Sequence, residues 1–212
     1  MFRELVDRLS PRLKKQDNWF RKVLEPGLML AIKLRYLATR ESNTSLMYGF
    51  RVPHNTISLL VREVCESIIV EYADKVIACP TTTNEWQQLA EQFRIRWNLD
   101  HVLGALDGKH IAIKCLRNES SLYYNYKRFH SIILMDLVDV DYKFIWVDVG
   151  ANGSASDATV FDNSELKDVI ENHNIGFPEA APLPNDKRKL PYIIVGNDAF
   201  PLRTWFMKQE GL

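Results

Sequence analysis

Cysteine is scarce in this chain of 212 residues: only Cys65, Cys79 and Cys115 occur. Three widely spaced thiols cannot form a disulfide framework, and no CxxC pair or Cys/His cluster has zinc spacing. A buried free thiol at Cys65 and a reducing compartment, cytosol or nucleus, are the expectation. Long hydrophobic runs are also missing. No stretch approaches the roughly 18 uncharged apolar residues that a membrane helix needs, so no membrane role is expected. The opening Met1-Phe2-Arg3-Glu4-Leu5-Val6-Asp7-Arg8 is charged at once, which argues against a secretory signal. Low-complexity tracts, internal repeats and a P-loop are absent as well, and the last removes one common route to nucleotide binding.

A charge excess is lacking too: 27 Lys and Arg balance 27 Asp and Glu. That balance argues against a uniformly basic nucleic-acid binder. It conceals a division, because residues 1–60 hold eleven Lys/Arg against five Asp/Glu. A basic head before an acidic body suggests one part for anions and another for cations.

The first hundred residues read as helical. After Pro26-Gly27, an apolar stripe of Leu28, Leu30, Ala31, Leu34, Leu37 and Ala38 recurs near the helical period. A polar break at 41–44 precedes a short helix, a tight turn near Arg51-Val52-Pro53, and a long helix opening with His54, Asn55, Thr56, Ile57 and Ser58. This is the outline of a helix-turn-helix, whose second helix presents its first turn to DNA. A plain bundle burying Leu59, Val61 and Val64 is the simpler reading of the pattern alone. Arg35, Arg40 and Arg51 could meet phosphates, and Lys14, Lys15, Arg21, Lys22 and Lys33 add positive field. A further helix is expected from Asn84, as cap, to Trp97.

Beyond residue 100 the texture becomes strand-like. Segments 104–114, 130–138 and 143–149 with short connections predict an antiparallel meander. A helix capped by Ser164, a proline-rich loop over 176–191, a buried strand at 192–196 and a helix from Phe200 onward complete the expected α/β (α+β) domain with a mixed sheet. The division expected is a helical DNA- or partner-binding region over 1–99 and a catalytic domain over 100–212.

Three aspartates fall where strands meet turns: Asp107 before Gly108, Asp157 after the third strand, and Asp198 after the fourth. Converging carboxylates repel and need a divalent cation to remain ionised together. Hard oxygen ligands suit Mg²⁺ or Mn²⁺, and such ions can activate water against a phosphate. Each aspartate also has an ordinary structural reading, in an Asp-Gly turn, a helix start or a strand end. His110 reads more simply as a packed or surface histidine than as a phosphate ligand. The stretch from Tyr123 to His130 interleaves aromatics with Lys127 and Arg128. It suits stacking on bases or gripping a backbone, or a strand entry that uses aromatics as core anchors.

These segments resemble the PIF/Harbinger transposases. The resemblance is carried by Leu103-Gly104-Ala105-Leu106-Asp107-Gly108 and Tyr124-Asn125-Tyr126-Lys127-Arg128, by Gly153-Ser154-Ala155-Ser156-Asp157, and by Gly196-Asn197-Asp198-Ala199-Phe200-Pro201-Leu202. It extends into the helical head through Leu34–Thr39, Phe50–Val52 and Val61–Cys65. It points to the domesticated Harbinger-derived nucleases of animals. The resemblance implies an RNase H-like mixed sheet with flanking helices, preceded by an all-helical region with a helix-turn-helix-like segment. It implies a nuclear endonuclease, present also in the cytoplasm, that hydrolyses DNA phosphodiester bonds with Mg²⁺ or Mn²⁺, with a Myb/SANT-like DNA-binding protein as partner. Asp107 and Asp198 match the catalytic aspartates, and Asp157 matches a further metal ligand. Arg51, His54, Asn55, Lys127 and Arg128 are the candidate DNA contacts. The family's final acidic residue is a glutamate on a later helix; Glu210 lacks that motif and is not assigned to the role. A C-terminally truncated nuclease domain is therefore expected, and the alternative is an inactive DNA- or protein-binding module.

Overall fold

A computed structural model describes residues 1–16, 23–114, 120–172, 174–184 and 186–208. Its contacts separate into two units, Met1–Val76 and Ile77–Leu212.

The first unit is helical: α1 Phe2–Leu13, α2 Pro26–Thr39, α3 Asn43–Phe50 and α4 His54–Val76. Proline at the first turn of α2 supplies a fixed φ where no N–H partner exists anyway. The Ser42 hydroxyl accepts the Ser45 N–H and starts α3. Arg40 and Arg51 take the left-handed conformation (φ 54° each) and end α2 and α3. This is the expected helix, short helix, tight turn, long helix. The inward stripe of α4 runs through Ile57, Leu60, Val64 and Ser67. Leu59 lies off that stripe and is exposed, Val64 is core as expected, and Val61 is half-buried against that core. In α2 the buried residues are Met29, Leu30, Ile32 and Lys33, while Leu34 and Leu37 face solvent. Lys33 is thus withdrawn from any phosphate-facing role, with its ammonium over the Tyr36 ring. Arg21 and Lys22 lie outside the described residues.

The second unit starts with α5, Thr83–Trp97, which the reading by texture groups with the helical head. Its cap is Thr82, not Asn84. The Thr82 hydroxyl accepts the Glu85 N–H, and the Glu85 carboxylate returns to the backbone N–H groups of Thr81 and Thr82. Trp86, fully buried, donates its indole N–H to the Ile175 carbonyl and fastens α5 to the domain core. Then follow β1 Val102–Ala112, the single turn α6 Ser120–Tyr123, β2 Ser131–Val138, β3 Phe144–Asn152, α7 Asp157–Asp162 and α8 Glu165–Glu171, the last capped by Ser164 as expected. The proline-rich segment contains a minimal ladder of β4 Ala181–Pro182 and β5 Lys189–Leu190. β6 Ile193–Gly196 and β7 Phe206–Lys208 complete the described chain.

The main sheet has the order β3-β2-β1-β6-β7. β1, β2 and β3 form the antiparallel meander, and β6 and β7 add in parallel beside β1. This mixed sheet with flanking helices is the RNase H-like arrangement. In β2 burial alternates strictly, with Ser131, Ile133, Met135 and Leu137 facing inward. The helix expected from Phe200 is replaced by β7. Phe200 precedes Pro201, which disfavours helical dihedrals there, and the Phe200 and Phe206 rings pack against each other and Phe161 in the core. Cys65 and Cys79 are free and half-buried, where full burial of Cys65 was expected. Burial pushes the Cys79 thiol up to about 11, so it stays protonated at neutral pH. Cys115 lies outside the described residues.

Candidate active site

The parallel pairing of β1 with β6 ends at Leu106 opposite Gly196. The next residue on each strand therefore emerges at the same edge of the ladder: Asp107 on one and Asn197, followed by Asp198, on the other. The Asn197 side-chain amide donates to Asp107 Oδ1 at 2.9 Å. β7 runs alongside β6 with Lys208 paired to Gly196, and Lys208 Nζ stands 3.9 Å from Asp198 Oδ1. Register alone thus brings together two of the three predicted aspartates, which are 91 residues apart in sequence.

Asp157 arrives from a different direction. Ser156 caps α7, which makes Asp157 the first residue of the helix, a favourable place for a carboxylate near unpaired N–H groups. Its carboxyl lies directly over Gly108. A Cβ added at Gly108 would fall under 3.0 Å from the Asp157 Cγ and both carboxyl oxygens. Gly108 is therefore glycine because a carboxylate occupies the space of its side chain.

The electrostatics follow from this crowding. Burial, then the charge of Asp107, pushes the Asp157 carboxyl above the usual aspartate range, and His110 and Lys127 only partly offset the rise. Asp136 behaves alike. It stands opposite Asp107 in the β1–β2 register, and burial followed by the Asp107 charge raises its carboxyl, with Lys109 opposing. Asp136 belongs to no motif and was missed in the sequence. Only the cross-strand register, unknowable before the hairpin is aligned, shows that it faces Asp107.

An open cleft of about 620 Å³ is bordered by Asp107, Asp157, Asn197 and Asp198, with Tyr126 at its rim. Among the described residues no three His, Cys, Asp or Glu side chains are gathered closely enough to hold a metal ion. The donor chemistry nonetheless fits a hard divalent cation: the lining carboxylates are oxygen donors, and mutual repulsion is part of what shifts Asp157.

The other candidates divide between the two units. Arg51, His54 and Asn55 are exposed at the α3–α4 turn of the first unit. Lys127 and Arg128 are exposed in the turn that enters β2, with Arg128 left-handed at φ 66°. Of these two, Lys127 acts on the Asp157 charge. His110 holds Ser131 Oγ at 2.9 Å through Nδ1, a packed role rather than an exposed one. Glu210 lies outside the described residues.

The mixed sheet thus carries Asp107 and Asp198 at the β1–β6 edge, and comparison with known families gives the class of the domain. Residues 106–210 match the DDE superfamily endonuclease family. The chain is also similar to curated proteins of animals and plants. It is 25% identical to "Putative nuclease HARBI1" of Homo sapiens over 203 residues, which cover 96% of this chain and 54% of that protein; the Rattus norvegicus protein matches to the same extent. It is 28% identical to "Protein ALP1-like" of Arabidopsis thaliana over 180 residues, 84% of this chain and 43% of that protein. The chain thus spans about half the length of these relatives. No solved structure matches significantly. Among the described residues no helix is long and apolar enough to cross a membrane.

Proposed function

We propose that this chain is a metal-dependent DNA endonuclease descended from a Harbinger-type transposase. The observation that supports it best is the lining of one open cleft by Asp107, Asp157 and Asp198, contributed by β1, α7 and the end of β6 within a DDE superfamily endonuclease domain. Asp107, Asp157 and Asp198 are the groups that would hold Mg²⁺ or Mn²⁺. When bound, such an ion supplies activation of a water and stabilisation of the leaving oxygen at a phosphodiester. The chain's own residues then have separate tasks. Asp107, steadied by the Asn197 amide, is kept in one orientation. Gly108 leaves room for Asp157. Lys127 and Arg128 neutralise phosphates beside the cleft, and Arg51, His54 and Asn55 contact DNA from the α3–α4 turn.

The same reading assigns the protein to the nucleus and gives it a Myb/SANT-like DNA-binding partner. The exposed α3–α4 turn with Arg51 also suits a DNA- or protein-binding module without turnover. Plasmid incubated with the purified chain and Mg²⁺ or Mn²⁺ separates the two. Metal-dependent nicking that is lost in Asp107→Asn and Asp198→Asn supports the nuclease. DNA binding with a steep salt dependence and no nicking supports the module.

A further inference from the structure

Tyr126 is 78% exposed at the rim of the acidic cleft. A ring used as a core anchor would be buried, so that role does not explain it. Nor is it a loose side chain. The turn that carries it is braced by Asn125, which is 3% exposed. Asn125 donates through Nδ2 to the buried Ser131 Oγ and accepts the Phe129 N–H at Oδ1. Its backbone exchanges further hydrogen bonds with Phe129 and Arg128. Ser131 Oγ in turn meets His110 Nδ1, and the His110 ring stands edge-on to Tyr126 at 5.5 Å. Lys127 Nζ lies 5.3 Å from the centre of the Tyr126 ring. A largely buried polar network therefore fixes the turn that carries the ring, with a cation beside it, at the mouth of a cleft that borders three carboxylates.

We infer that Tyr126 is a stacking platform for an unpaired base, and that the substrate is DNA whose nucleotide at the scissile phosphate is single-stranded, frayed or mismatched. The inference rests on the nuclease reading of this cleft. In intact duplex DNA each base is already stacked between its neighbours, so a ring at the backbone has no base face to meet. Once a nucleotide is splayed out, its base can lie on Tyr126 while Lys127 neutralises the adjoining phosphate. A turn fixed in advance lowers the ordering cost of binding.

The test uses the whole chain without metal, so that binding is read separately from cleavage, with fluorescently labelled single-stranded and duplex oligonucleotides of one sequence. Tyr126→Ala should weaken single-strand binding by roughly 5- to 150-fold, the worth of one base–aromatic stack, and leave duplex binding unchanged. Tyr126→Trp should keep the single-strand affinity. An internal 2-aminopurine should be quenched by the wild-type chain and not by Tyr126→Ala. Equal effects on both DNA forms, or no effect on either while the wild-type chain still cleaves DNA, would overturn the stacking role and leave the nuclease reading standing. If neither DNA form binds and plasmid is not nicked with Mg²⁺ or Mn²⁺ either, the nuclease reading itself fails, and this inference fails with it.

Discussion

Gly108→Ala is the smallest change aimed at the geometry of the cleft. The new methyl group would lie under 3.0 Å from three atoms of the Asp157 carboxyl. Either the strand or the carboxyl must then retreat by about 1 Å to reach ordinary van der Waals separation. Gly108 is on β1, paired to Met135 of β2 in the middle of a continuous ladder, whereas Asp157 starts a helix of six residues. The carboxyl is the part that yields. Overpacking of this kind costs about 1–3 kcal/mol, opposed by the intrinsic gain of replacing glycine in a strand. Thermal stability should therefore fall by roughly 10 °C at most. Catalysis should suffer more, because a misplacement of about 1 Å at a reacting centre can cost on the order of 100-fold in rate. Plasmid nicking measured beside the melting temperature separates the two effects. If Gly108→Ala nicks plasmid at the wild-type rate, the claim that Asp157 works from over Gly108 is wrong.

Three further outcomes are expected. Asp157 and Asp136 carry carboxyls raised above the unfolded value of about 3.8. Their stabilising contribution is present below that pH and is lost as pH rises through the folded pKa. Asp157→Asn and Asp136→Asn should accordingly raise the melting temperature at pH 7 in the absence of metal, and the gain should vanish below pH 3.8; a loss of stability at pH 7 would reverse the electrostatic argument. Arg51→Ala should weaken DNA binding and lower the slope of log affinity against log salt by about 0.9, the value of one phosphate contact; an unchanged slope in a salt titration removes Arg51 from the interface. Thr82→Ala should destabilise the second unit by about 0.5–2 kcal/mol in a denaturant titration, because it breaks the box that starts α5.

The strands were legible because alternation is local: β2 shows its buried face in every second residue from Ser131 to Leu137. Motifs led to Asp107, Asp157 and Asp198, since each lies in a short segment with a recognisable neighbour. What escaped depends on distant partners. Thr82 and Asn84 are both good caps in isolation, and only the reach of Glu85 decides between them. The segment after Phe200 becomes a strand because Phe206 is drawn into a cluster with Phe161 and Phe200. Asp136 and the bracing of Tyr126 through Asn125, Ser131 and His110 arise from the β1–β2 pairing, which no single segment encodes. Leu59, read as core from its period, faces solvent because the phase of α4 is set by Ile57 and Leu60.

We propose that the cleft bordered by Asp107, Asp157 and Asp198 takes up a divalent cation. Titration of the purified chain with Mn²⁺, followed by electron paramagnetic resonance of the free ion, tests it without requiring turnover. Saturable binding that Mg²⁺ competes for, and that Asp107→Asn and Asp198→Asn each abolish, is the predicted result. Absent binding, or binding that both variants retain in full, would contradict it.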